Sequence, residues 1–405
     1  MKNSIVKYFD STTSADTMDA LIAHFEQESL PMSDIIELVE VLAFSGEKCS
    51  YSNKRVDIAS TGGPSSLSTL LCPLYLDTCG LDVVKLGIPG RPAGAVDSLA
   101  QIRQYKINYS RDELMLEIDK GGYIHFLANN LFAPADAILY EHRKQRGKVA
   151  VPNIAIASLL SKKVAMGLSK VGLDVRVSAH GNFGYNFEQA SQNAKLFCKV
   201  AEAFDIKAIC FVSDASKPYQ PYVGRGESLL ALYEIIYGTS SSWLNTHRNY
   251  CKNMSDSLFK YVFDSQIPQN GNNYDIKSAF ERNIIRQSGD ITTFIEYCHE
   301  IRNGHTFNVL APSNGYCSYD LEAARQLIVK IQSLETSTQN AFPDPCGIIL
   351  CVDSGMYVHK GDIVATLRID EKYYQKYQID ISNIVHISAD IIDFETIGNE
   401  VIING

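Results

Sequence analysis

A chain of 405 residues with 37 Lys and Arg against 46 Asp and Glu carries a net charge of −9, the wrong sign for a protein that lives by counterion release on nucleic acid. Its 45% hydrophobic and 20% charged content is that of a globular protein and excludes collagen, coiled coil and general disorder. The stretch from Met1 to Asp16 has no apolar core of a leader, and the most apolar run, 67–79, is too short to span a bilayer and contains Asp77. A cytoplasmic protein without membrane or nucleic-acid partners is therefore expected.

In chain order, the first fifty residues read as helical. Ser14 or Asp16 can cap a helix running to Glu26, and Ser33-Asp34 can open a second whose Ile35, Ile36, Val39 and Leu42 share a face. From Val56 the pattern becomes strand, glycine-rich turn and helix, with Gly80 placed to end the helix and a second apolar run at 81–87. Two strands joined by a helix make a βαβ unit and imply a parallel sheet. Ser110-x-x-Glu113 is a capping box for a helix that stops at Gly121-Gly122, and Tyr123 begins another strand.

Two helical stretches, 134–147 and 153–168, then follow without a strand between them, which predicts that the chain returns to the first helical lobe. Alternation resumes with a strand at 173–179, a helix at 188–204, a strand at 207–213 and a helix at 226–237. Residues 238–273, rich in Ser, Asn, Gln and Gly, read as a connector or insertion of unknown place. Helices near 274–302 and 319–333 precede a hinge at 335–345 and short closely spaced strands. The fold class expected is α/β: a discontinuous all-α lobe (1–53 and 134–168), a large, mostly parallel-sheet α/β lobe (54–133 and 169–334) and a β-rich C-terminal part (335–405).

Ten cysteines contain no C-x-x-C pair and nine histidines no H-x-x-x-H, so buried thiols in a reducing compartment are expected and no metal site. Ser60-Thr61-Gly62-Gly63-Pro64-Ser65-Ser66 lies between a strand and a helix. Paired glycines, a helix N-terminus and hydroxyls suit a phosphate, although the same residues also read as a capped βα turn. Ser158 and Lys162, four apart on one helix, with Arg143 on the preceding helix, could converge on a flat heterocycle that departs as an anion. The competing reading is a solvated basic face that also includes Lys144, Arg146, Lys148 and Lys163.

Taken together, Val56-Asp-Ile-Ala-Ser-Thr-Gly-Gly63, Ala133-Pro-Ala-Asp-x-x-x-Tyr-x-x-Arg143, Ala157-Ser-Leu-Leu-Ser-Lys-Lys163, Gly167-Leu and Asp174-Val-Arg-Val resemble the thymidine and pyrimidine-nucleoside phosphorylases. These share their fold with anthranilate phosphoribosyltransferase. The resemblance runs in the same order from about residue 13 to 237, and more loosely to the end. It implies a homodimer that binds a pyrimidine nucleoside against the helical lobe and phosphate, the co-substrate, at the glycine-rich turn. Arg143, Ser158 and Lys162, with Tyr140 beside them, fall on base-binding positions, and Arg143 and Lys162 on those that stabilise the departing base. It implies no organic cofactor and leaves a monovalent cation open.

The acceptor side departs from that pattern. The family places Lys-His before Ser-Thr-Gly-Gly, and this chain has Ile58 and Ala59 there. Ser60, Thr61, Ser68 and Thr69 keep hydroxyls at the turn, whereas Gly87 and Ala95 stand at two positions normally Ser and Thr, in a run about two residues short. Losing a cation and two hydroxyl donors from a dianion site costs several kcal/mol unless something replaces them. Lys85 and Arg91 are the candidate replacement cations, with Lys85 equally readable as a strand-end cap, and His180 reads either as the missing acid or as a hydrogen-bonded loop histidine. Arg225 and Glu227, at a helix start, read either as part of the changed pocket or as an ion-paired anchor, and Gly355 to Val364 only superficially resembles a biotinyl hammerhead.

The expected activity is cleavage of a pyrimidine nucleoside with phosphate, or a substitute acceptor, to free base and pentose 1-phosphate. The alternatives are a pentosyltransferase or hydrolase acting on a phosphorylated substrate or without phosphate, and a nucleoside-binding paralog without turnover.

Overall fold

The computed structural model describes residues 15–27, 29–90, 92–128, 131–178, 183–263, 275–392 and 400–403. Two helices, α1 (Ala15–Phe25) and α2 (Met32–Ala43), open the chain. The cap expected at Ser14 lies outside the described residues. The second helix starts earlier than Ser33-Asp34: Pro31 is its extended N-cap, and the Asp34 carboxylate instead bonds His24 Nε2 at 2.8 Å, tying the two helices. Then come β1 (Ser52–Ser60), α3 (Ser68–Thr78), β2 (Asp82–Gly87), α4 (Ala95–Leu99), α5 (Arg111–Asp119) and β3 (Tyr123–Leu127). Gly80 takes φ +76°, the left-handed turn that ends α3, and the Ser110–Glu113 capping box forms as expected.

The chain then makes α6 (Pro134–Gln145) and α7 (Pro152–Ala165), which pack on α1 and α2. It returns through β4 (Leu168–Val177), α8 (Phe187–Glu202), β5 (Lys207–Asp214), β6 (Tyr222–Val223) and α9 (Arg225–Tyr237). The main sheet runs β3-β2-β1-β4-β5, all parallel. One apolar cluster fills the space between one sheet face and the helical lobe, with Leu38, Leu42, Leu139 and Leu160 against Val84, Phe126 and Leu173. Every strand is thus sandwiched, as parallel strands require.

Residues 238–273 resolve into α10 (Ser242–Phe263), which lies along α3, with 264–274 outside the described residues. With α11 (Ile276–Arg286) and α12 (Ile291–Asn303) it covers the other sheet face. The β-rich part draws in β7 (Phe307–Leu310) and β8 (Gly315–Tyr319), which precede the hinge expected at 335. After α13 (Leu321–Glu335) come β9 (Cys346–Leu350), β10 (Tyr357–Val358), β11 (Ile363–Ile369), α14 (Glu371–Lys376), α15 (Gln378–Ser382) and β12 (Val385–Ser388). These strands form two antiparallel sheets, β6-β9-β11-β7 and β10-β8-β12. The last strand, β13 (Glu400–Ile403), leaves them and adds antiparallel to β5, closing the edge of the main sheet.

Candidate active site

The candidate site residues lie at the C-terminal ends of β1 and β2 and on helices α6 and α7. On α6, Arg143 is buried and donates from Nε to Lys148 O (3.2 Å) and from Nη2 to Val149 O, so it also holds the turn into α7. Tyr140, one turn earlier, is half-buried. Across from it on α7, Lys162 Nζ donates to Ser158 O (2.5 Å) and Ser158 Oγ (3.0 Å), and pairs with Asp136 of α6. Arg143, Ser158, Lys162 and Asp136 are all at most 7% exposed, which excludes the solvated basic face for the two cations. Burial lowers the Lys162 pKa and the Asp136 charge opposes that shift. Asp136 is the group the sequence reading missed; its place seven residues before Arg143 on a predicted helix was the available signal.

The next residue on α7, Lys163, points the other way and pairs with Asp57 of β1. Asp57 also receives Lys85 of β2, at 2.5 Å, and Lys85 Nζ donates as well to Ile58 O at 2.8 Å. The β1–β2 ladder is recorded only at Arg55↔Asp82 and Val56↔Val83, and beyond it the Lys85 ammonium bonds the Ile58 carbonyl. Burial pushes the Asp57 carboxyl up, but Lys163 and Lys85 together outweigh it and bring it to about 2. Lys85, read from sequence as a replacement cation or a strand-end cap, is part of a buried Lys–Asp–Lys cluster.

The glycine-rich turn is tightly bound by its own surroundings. Ser60 Oγ accepts from Gly62 N–H (3.1 Å), and Thr61 Oγ1 accepts from Arg176 N–H (3.0 Å). Ser65 takes φ +67°, strained for a residue with a Cβ, and its hydroxyl anchors to Gln220 O at 2.8 Å. Ser68 Oγ donates to Asp174 Oδ2 (2.7 Å), while Arg176 bonds Asp174, Ser68 Oγ and Gly63 O, each at 3.0 Å. From α10, His247 Nε2 accepts from Leu67 N–H at 2.9 Å, capping the start of α3. Burial, then the Arg176 charge, lowers the His247 pKa to about 3, so it caps as a neutral ring. Gly62 and Gly63 remain exposed and Thr69 half-buried in the first turn of α3.

Arg91 and His180 lie outside the described residues. The remodelled segment around Arg91 is clamped from below: the buried Asp97 carboxylate accepts from Gly90 N–H (3.0 Å), Gly94 N–H (3.2 Å) and Arg225 Nε (2.7 Å). Gln332 of α13 donates to Pro92 O at 2.7 Å. Glu227 pairs with Arg368 at 2.7 and 2.9 Å, so Arg225 and Glu227 are both ion-paired anchors. Among the described residues there is no cluster of His, Cys, Asp or Glu arranged to hold a metal, and no helix long and apolar enough to cross a membrane.

No protein-family model matches the chain. Pyrimidine-nucleoside phosphorylase of Geobacillus stearothermophilus is 21% identical over 397 residues, covering 94% of this chain and 90% of that protein. The chain is similar in sequence to thymidine and pyrimidine-nucleoside phosphorylases. Human thymidine phosphorylase is 27% identical over 224 residues, and the Bacillus subtilis (strain 168) pyrimidine-nucleoside phosphorylase 30% over 211. These two matches cover 53% and 50% of this chain and 46% and 48% of the relatives, about half the length of each. Anthranilate phosphoribosyltransferases of Thermus thermophilus and Saccharomyces cerevisiae overlay with TM-scores of 0.45 and 0.43, at 11% and 12% identity. They cover 73% and 74% of this chain and 99% and 90% of theirs.

Proposed function

We propose that this chain transfers the pentosyl group of a pyrimidine nucleoside to phosphate, releasing the free base. The observation that carries the reading is the buried convergence of Arg143, Ser158 and Lys162 on α6 and α7, compensated by one carboxylate, Asp136. In the reaction, the bond between C1′ and the base nitrogen breaks with its electron pair left on the base, and a phosphate oxygen forms the new bond to C1′. Two cationic donors in a low-dielectric wall stabilise the negative charge growing on the pyrimidine carbonyls, where they are worth more than in water. The Lys162 ammonium, now donating to Ser158 and pairing with Asp136, turns one N–H to the base as it binds. Lys163 on Asp57 links this wall to β1, so the two substrate sites are joined through one turn of α7.

A second reading, a pentosyltransferase that takes a phosphorylated substrate or another acceptor, is favoured by Ile58 and Ala59 and by the inward-turned hydroxyls of the glycine-rich turn. Incubation of uridine, thymidine, cytidine and their 5′-monophosphates with and without phosphate separates the two. Base release that needs phosphate supports the first; release only from monophosphates, or independent of phosphate, supports the second.

A further inference from the structure

The acceptor side of this chain looks depleted along β1 and at positions 87 and 95. One strand further out, His125 of β3 is level with Lys85 of β2 in the parallel register, and its side chain leans over the end of β2. A Cβ built on Gly87 would lie 2.8 Å from His125 Nε2. The imidazole and the Val96 side chain, whose Cβ would also lie at 2.8 Å, together fill the volume a side chain at position 87 would take, and the ring brings a nitrogen close to where a serine hydroxyl would sit. Tyr123 Oη lies 3.1 Å from His125 Nδ1. The phenol can donate to Nδ1, and that is the tautomer the site would use. With Nδ1 accepting, the ring hydrogen is on Nε2, the atom beside Gly87.

The charge around this ring points to what it would bind. Lys85 and Lys163 share a single carboxylate, Asp57, so the cluster next to His125 has one more amine than acid. Burial lowers the Lys85 pKa against the pull of Asp57, and an anion bound beside the cluster would offset that burial. Lys85 Nζ lies against the carbonyl of Ile58, the residue standing where a lysine side chain is expected, so positive charge is delivered to that point from β2.

We propose that His125 Nε2–H, beside Gly87 and backed by the Lys85–Asp57–Lys163 cluster, is a binding donor for the phosphate acceptor. This rests on the phosphorolytic reading for the identity of the acceptor. It makes the Gly87 and His125 identities a matched pair: a donor moved from the end of β2 to the side chain of β3.

Titration calorimetry with inorganic phosphate on the full chain tests it, using wild type, His125→Ala, His125→Gln and Gly87→Ser. Losing a hydrogen bond to a charged group weakens phosphate by roughly tenfold to a hundredfold in His125→Ala. His125→Gln, which keeps an N–H, retains most of the affinity. Gly87→Ser collides with both the ring and Val96 and weakens phosphate as well. Affinity for free uracil or thymine stays unchanged throughout, and thermal unfolding shows which variants are folded. Wild-type affinity in a folded His125→Ala, or a wild type that binds no phosphate, overturns the proposal. A wild type that binds phosphate through His125 but releases no base would sink phosphorolysis and leave the His125 site standing.

Discussion

Asp136 shows what a single buried carboxylate does for the candidate pocket. It is the anion paired with Lys162, and its second oxygen, Oδ1, is buried without a hydrogen-bond partner. Burial lowers the Lys162 pKa while Asp136 holds it up, so Asp136→Asn lets burial win. The alkaline limb of the pH–rate profile then moves to lower pH by roughly 1–3 units, the usual effect of one close opposite charge. An unchanged limb with reduced rate would make Asp136 a packing residue only. Lys162 and Arg143 were legible in the sequence because helical spacing and motif order place them. Their satisfied state was not, since Lys162 bonding Ser158 and Arg143 bonding Val149 depend on how two helices and a turn dock.

At the scale of elements, the least expected contribution is that of α10. Its sequence, Ser242 to Phe263, is polar and irregular enough to read as a connector, yet it lays His247 over the start of α3 and stacks it on Tyr219 with ring centroids 5.4 Å apart. A neutral ring there accepts one of the helix's orphan N–H groups. His247→Ala removes that acceptor and opens space beside a buried helix end, so chemical denaturation is expected to show a loss of about 1–3 kcal/mol. No measurable loss would mean that another group or water caps Leu67 equally well. The βαβ unit, the glycine-rich turn and the capping box were readable because each is local, set by Gly80, Gly62-Gly63 and Ser110–Glu113. The contacts of Lys85 with Asp57 and the Ile58 carbonyl were not, because they are made across strands.

Across the whole molecule, the acceptor segment is held by parts far apart in sequence. Arg225 reaches from Asp97 to the carbonyl of Pro343, and Gln332 grips Pro92, so the hinge and α13 of the β-rich part fix the run from Gly87 to Ala95. That dependence was invisible in a hinge read only as a linker. Arg225→Met would leave Asp97 buried with backbone donors alone, and breaking such a pair typically costs about 3–5 kcal/mol. Burial already pushes the Asp97 pKa up against the pull of Arg225, so part of that cost is relieved by protonation. Thermal unfolding reads it, and a variant as stable as wild type would show that the clamp is not needed.

The central claim, a base-binding wall on α6 and α7 working with phosphate, is tested most directly by base release from uridine and thymidine with and without phosphate, in wild type and Lys162→Ala. The account expects release that requires phosphate in wild type and is lost in a folded Lys162→Ala. Undiminished release by Lys162→Ala, or no release from any pyrimidine nucleoside by wild type in phosphate, would contradict it.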